Sequence, residues 1–177
     1  MIHFIPSILT KDECKYLTEQ FDIERKYKNS TDNEYSGTNI SYGFAPSFVF
    51  NTYLDKLKSK VLEYNNNFDE LLNVNAFVRE YVNTSTLKKH LDRKDISVTM
   101  SICLESTINS EWPLCAEIEN KEYCFNTNVG DGILLFDADK IIHWREPLQC
   151  QDKERVIQLF LHWSPTNYTA KKTKSLL

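Results

Sequence analysis

Nowhere does this chain carry an apolar run approaching the roughly 20 residues of a membrane-crossing helix, so no transmembrane segment is expected. It also lacks an excess of positive charge. Its 21 Lys and Arg stand against 25 Asp and Glu, for a net charge of −4, which removes the general electrostatic pull that nucleic-acid binders use. No basic stripe interleaved with aromatics replaces it, and nucleic acid is not an expected partner. The five cysteines (Cys14, Cys103, Cys115, Cys124, Cys150) contain no Cys-x-x-Cys pair. No signal-peptide pattern is read at Met1-Ile2-His3-Phe4. Free thiols in a reducing cytoplasm are therefore the expectation, with a Cys115–Cys124 bridge across a hairpin as the lesser alternative. Histidine is scarce at four, so each one has to be placed with care.

What remains is the composition of a folded domain. Hydrophobic residues make up 41% and aromatics 12%, enough for a core and too many for a disordered chain. Neither an internal repeat nor a linker interrupts residues 1–177, and one domain is expected. The first part, to about residue 72, reads as mostly helical. Thr10-Lys11-Asp12-Glu13 is a capping box, and Cys14, Leu17 and Phe21 line one helical face behind it. Leu54, Leu57, Val61 and Tyr64 form a second helical stripe. Between them, the polar stretch Lys26–Tyr42 is a long loop that could serve as a lid. The Lys171-Lys172-Thr173-Lys174 tail reads as a solvated terminus.

From about residue 73 to 165 the period changes to two. Strands are expected at Val74–Val82, Ile96–Leu104, Leu114–Glu119, Glu122–Phe125, Ile133–Asp137, Ile141–Arg145 and Arg155–Trp163. Helices followed by many short strands imply an α+β chain, mainly β, with a sandwich or barrel flanked by helices.

Within that pattern, His90-Leu91-Asp92 and His143 supply two imidazoles and a carboxylate. This is the ligand set that holds Fe(II) on one face and leaves the remaining positions open. On a strand, residues i and i+2 point to the same side, so His90 and Asp92 could reach one metal. A His-x-Asp pair alone is common, and its weight here comes from its place beside strands. His3 and His162 are read as structural. Arg155 opens an apolar strand, and Arg145, two residues after His143, faces the same side as that histidine if the strand continues. The Thr99, Ser101, Cys103 face is small and polar for a core strand. It either lines an interior cavity or faces solvent.

Taken together, Tyr81, His90/Asp92, His143 and Arg155, with Val129-Gly130-Asp131-Gly132 running into Phe136 before the distal histidine, resemble the Fe(II)- and 2-oxoglutarate-dependent oxygenases. The prolyl-4-hydroxylase-like branch is the most similar, and His143-Trp144-Arg145-Glu146-Pro147 also looks like small phage-type members. The resemblance implies a double-stranded β-helix (jelly-roll) core with N-terminal helices packed on it, and the metal at its open end. It implies Fe(II) on His90, Asp92 and His143, and 2-oxoglutarate chelating that iron, with ascorbate keeping the metal reduced. It gives the distal carboxylate of the co-substrate to Arg155, ahead of Arg145, with Tyr81 and Thr99 toward the same pocket. Trp144 and Trp163 could wall the site, and Ser106–Pro113, with Trp112, could shape it. The implied substrate is a peptide, protein or amino acid, with a prolyl residue or free proline first. Cys115-Ala116-Glu117 departs from the Gly-Gly-Glu strand start of many prolyl hydroxylases, and Cys103 stands where some relatives carry a co-substrate tyrosine. The competing expectation is a cupin-like jelly roll that binds metal without catalysis, against which stands the completeness of the set.

Overall fold

A computed structural model describes residues 1–29, 41–65 and 68–166. The elements run β1 (Ile2–Ile5), α1 (Lys11–Glu24), β2 (Tyr42–Phe44), α2 (Phe48–Glu63), β3 (Leu71–Tyr81), β4 (Leu87–His90), β5 (Val98–Ser106), β6 (Leu114–Ile118), β7 (Lys121–Phe125), β8 (Gly132–Phe136), β9 (His143–Arg145) and β10 (Val156–Pro165). They form a six-stranded sheet in the order β1-β8-β5-β10-β3-β2 and a four-stranded sheet in the order β4-β9-β6-β7, paired antiparallel. From β3 onward the chain passes back and forth between the two sheets, which is the path of a jelly roll.

Strand alternation gives the larger sheet two buried faces. On β5, Val98, Met100, Ile102 and Leu104 pack with Leu134, Phe136, Leu159, Leu161 and the helical residues Leu17, Phe21, Leu54 and Val61. On the opposite face, Cys103, Ile133, Leu135, Tyr81 and Val156 pack against Leu114, Ala116 and Leu87 of the smaller sheet. The helices therefore cover the outside of the larger sheet, and the space between the sheets is left for a site.

The capping box forms as read. The Glu13 amide donates to Thr10 Oγ1 at 3.2 Å and the Thr10 amide donates to Glu13 Oε2 at 2.9 Å. Gly130, at φ +93°, brings the chain into β8 against the α1 entry, where the Leu9 amide donates to its carbonyl at 3.1 Å. A Cβ there would sit 2.4 Å from the Leu9 carbonyl oxygen, so only glycine fits.

Three strands escape the sequence pattern. β1 and β2 lie in the stretch read as helical, and β4 carries two consecutive lysines that hide its alternation. β1 and β2 add to the edges of the larger sheet and are only four and three residues long. The expectation of five free thiols is corrected: Cys115 and Cys124 face each other across the β6–β7 hairpin and are joined, leaving Cys14, Cys103 and Cys150 as thiols. Most of the Lys26–Tyr42 loop and the whole Lys171–Lys174 tail lie outside the described residues. Among the described residues, no helix is long and apolar enough to cross a membrane.

Candidate active site

His90 ends β4 and His143 begins β9, and the two are direct partners in the smaller sheet. Their rings lie 4.2 Å apart, centroid to centroid. Each ring is oriented by its own backbone: His90 Nδ1 lies 2.8 Å from the Lys88 carbonyl, and His143 Nδ1 lies 2.9 Å from the Ile141 carbonyl. A ring nitrogen facing a carbonyl carries the proton, so both Nε2 atoms keep their lone pairs. Both Nε2 atoms stand 3.6 Å from the same oxygen, Asp92 Oδ1. Three donor atoms from three residues thus converge around one point.

Asp92 reaches that point differently from the sequence expectation. It does not share a strand face with His90, because β4 ends at His90. Its amide donates to the Ala138 carbonyl at 3.1 Å, and Thr99 Oγ1 of β5 donates to Oδ2. The hydroxyl occupies one carboxylate oxygen and leaves Oδ1 for the imidazoles. Burial pushes the Asp92 pKa up, but the neighbouring histidines and Thr99 outweigh it and hold the carboxyl down at about 2. Burial pushes the His143 imidazole below its ordinary range, which favours the neutral ring a metal needs.

A cavity of about 180 Å³ opens at these residues, between the sheets. Asn75, Phe77 and Arg79 of β3, Thr99 and Ser101 of β5, Leu135 of β8, and Phe160 and His162 of β10 form its wall on the larger sheet. The Thr99, Ser101, Cys103 face therefore looks inward, with Cys103 further down the barrel. His162, read as structural, also lines the cavity. Its Nδ1 lies 3.2 Å from Asn75 Oδ1, and burial pushes its pKa down to about 4. The signal was available, because His162 has the parity of Phe160 and Gln158 on β10.

That same parity removes Arg155 from the site. Val156, Gln158, Phe160 and His162 face the interior, so Arg155 and Ile157 face the helices. Its guanidinium lies on Asp22 of α1 at 2.7 and 2.9 Å, on Glu80 at 3.1 Å and on Glu105 at 2.5 Å. These three carboxylates raise its pKa. The expectation that Arg155 leads as co-substrate partner is corrected: its side chain is committed on the far face of the larger sheet.

Arg145 points the other way. It is 1% exposed, and Nη1 donates to the Trp112 carbonyl at 2.7 Å with the guanidinium 4.7 Å from the Trp112 ring centre. Nε and Nη2 are buried and have no partner among the described residues. Burial pushes its pKa down, partly offset by Tyr81 and Cys103. An arginine edge that offers two parallel donors to nothing matches a carboxylate. Tyr81 stands next to it, edge-on to Trp112 at 4.8 Å. Trp144 and Trp163 do not wall the cavity. Trp144 lies under Lys89, and the Trp163 indole donates to the Leu54 carbonyl on the helix side. Ser106–Pro113 borders a second cavity of about 450 Å³ instead, toward the other end of β5, shared with Cys103 and Gln158.

No family model matches the chain. No curated protein sequence matches it either. Solved structures do. A Pseudomonas putida prolyl-4-hydroxylase superposes with a TM-score of 0.68 at 12% identity, covering 91% of each chain. The fold is that of the 2-oxoglutarate- and iron(II)-dependent oxygenases. The viral collagen prolyl hydroxylase of Paramecium Bursaria Chlorella virus-1, solved with 2-oxoglutarate, gives 0.67 at 14% identity over 92% of this chain and 94% of that one. HygX of Streptomyces hygroscopicus, solved with nickel, 2-oxoglutarate and hygromycin B, gives 0.73 at 12% identity over 95% and 84%. The jelly-roll expectation is thus met across nearly the whole chain.

Proposed function

We propose that the protein is a dioxygenase that uses Fe(II) and 2-oxoglutarate to hydroxylate an unactivated C–H bond, releasing succinate and carbon dioxide. The observation that carries this reading is the convergence of His90 Nε2 and His143 Nε2 on Asp92 Oδ1, inside a jelly roll with a buried arginine edge below. These donors fit iron: two neutral imidazoles and one hard anionic oxygen from one side, with open cavity on the other. His90, Asp92 and His143 would hold the metal, which when bound supplies the activation of oxygen that side chains cannot.

The chain's own residues do the rest. The Lys88 and Ile141 carbonyls fix the histidine tautomers, and Thr99 fixes the Asp92 carboxylate, so the ligands need little reorganisation. Arg145 Nε and Nη2 take the distal carboxylate of the co-substrate, with Tyr81 beside them. Leaving those two donors buried and unpaired costs roughly 1–3 kcal/mol each, which a carboxylate recovers. Phe77, Phe160, Leu114 and Leu135 give the cavity an apolar wall that limits water around the reacting centre.

A prolyl residue or free proline is the first substrate to test, since two of the superposed structures are prolyl hydroxylases. Free L-proline, a proline-containing peptide and a panel of amino acids should be incubated with Fe(II), ascorbate, 2-oxoglutarate and labelled oxygen. A product that gains one labelled oxygen atom supports the reading. Metal binding without 2-oxoglutarate binding would instead leave a metal-holding jelly roll with no catalysis.

A further inference from the structure

The outer face of the smaller sheet carries a second set of metal-ligating atoms, apart from the triad. Leu114 and Ala116 of β6 turn inward to the core between the sheets, so Cys115 and Glu117 turn outward. Register places Cys124 of β7 directly opposite Cys115, and Glu122 directly opposite Glu117. Two cysteines and two glutamates therefore share one patch of the hairpin. Within it, Glu122 Oε1 lies 3.3 Å from Cys124 Sγ. The donor atoms of Cys115, Glu122 and Cys124 all lie within 4.8 Å of one another. Cys115 is buried, whereas Cys124 and Glu122 are exposed, so an ion arriving from solvent meets a site floored by protein. The triad lies on the other side of the same sheet, where His143 is the β9 partner of the inward-facing Ala116.

In the structure the two sulfurs are bonded to each other, which leaves neither for a metal. We propose that, once this bridge is reduced, Cys115, Cys124 and Glu122 form a second metal site, for a thiophilic divalent ion of the zinc class. Reduction takes two electrons: two molecules of a small thiol become their disulfide, and Cys115 and Cys124 each gain a proton. The arriving ion then displaces both protons and binds two thiolates. Zinc–thiolate bonds of about 2.3 Å put two sulfurs roughly 3.8 Å apart at a tetrahedral centre. Directly opposite cysteines on paired strands span that distance without a change of register. Glu122 supplies the third donor from two positions along the same strand, and water fills the remaining place. The donors sort ions between the two sites: sulfur selects zinc-class ions over magnesium or calcium, while the triad offers only nitrogen and oxygen. Bridge formation and metal binding exclude each other, so the hairpin holds either a sulfur–sulfur bond or an ion.

Anaerobic titration of Co(II), a spectroscopic substitute for zinc, into the full chain tests this. The oxidised chain is compared with a sample reduced by a water-soluble phosphine, which adds no thiol of its own. Thiolate ligation gives a charge-transfer band in the near ultraviolet that a site of nitrogen and oxygen donors lacks. The reduced chain should show this band and take up one Co(II) more than the oxidised chain. Cys124→Ser should lose the extra ion and most of the band. Glu122→Gln, which keeps both cysteines, should keep the band and bind about tenfold more weakly or worse, since even an outer partner is worth that much at a metal site. Asp92→Ala should keep the band in full, which separates this site from the triad and from the function proposed for it. No band in the reduced wild type, a band equally strong in Cys124→Ser, or a band lost in Asp92→Ala overturns the proposal. Unchanged affinity in Glu122→Gln overturns the part assigned to the carboxylate.

Discussion

At the scale of single residues, Asp92 divides its two oxygens between Thr99 and the facing imidazoles. Thr99→Val keeps the shape of the side chain and removes the hydroxyl. It should lower metal affinity about 10–100-fold while leaving the fold intact, measured by competition with a metal-binding dye. An unchanged affinity would show that the hydroxyl does not orient the ligand. Arg155 gives the opposite expectation. It ties α1 to β3 and β5 through Asp22, Glu80 and Glu105, and Glu80 is almost wholly buried. Arg155→Ala should cost about 2 kcal/mol of stability, discounted because the arginine is partly exposed. Affinity for 2-oxoglutarate should not change. Comparison with Arg145→Met, expected to weaken that affinity about tenfold or more, separates the two arginines.

At the scale of elements, the N-terminus of α1 offers a pH-resolved test. Burial, the largest single influence, raises the Glu13 pKa, but Lys56, the Thr10 amide and the Thr10 hydroxyl together prevail and hold it at about 2 against an ordinary 4.5. A carboxylate depressed in the folded state stabilises it above the unfolded pKa, and that stability is lost as pH falls through the folded one. Wild type should therefore exceed Glu13→Gln by about 1 kcal/mol at neutral pH, with the gap closing between pH 4.5 and about 2. Thermal unfolding across that range checks it. A gap that persists at pH 2 would assign the effect to something other than the ionised carboxylate.

Strands also explain what the sequence could tell. β5 alternates cleanly because helices cover one face and the cavity bounds the other, while β8 is apolar from Gly132 to Phe136 because both of its faces are buried. Arg155 and His162 lie seven positions apart and so take opposite faces of the larger sheet, Arg155 toward α1 and His162 into the cavity. Arg79 shares a face with Phe77 and Tyr81, which period two makes plain, but its contact with the Phe160 ring depends on how β3 pairs with β10. β4 was hidden because Lys88 and Lys89 interrupt its apolar positions. Asp92 reaches the histidines from a loop held by Ala138 and Thr99, where the sequence pattern implied a strand face shared with His90.

At the scale of the molecule, the two sheets matter as a pair. The proposed metal ligands come from the smaller sheet and the loop beside it, while the cavity wall facing them belongs mostly to the larger one. The helices brace the larger sheet from behind, so that wall is backed by a packed core. The Cys115–Cys124 bridge lies one residue from Ala116, the β6 partner of His143, and it stiffens the hairpin next to that histidine.

The most direct measurement is succinate formation by purified protein with Fe(II), ascorbate, oxygen and 2-oxoglutarate, with Asp92→Ala and a chelator as controls. Succinate that depends on iron and oxygen and disappears in the Asp92→Ala variant is the predicted result. Equal succinate from wild type and Asp92→Ala, or a wild type that neither binds 2-oxoglutarate nor consumes it, would contradict the account.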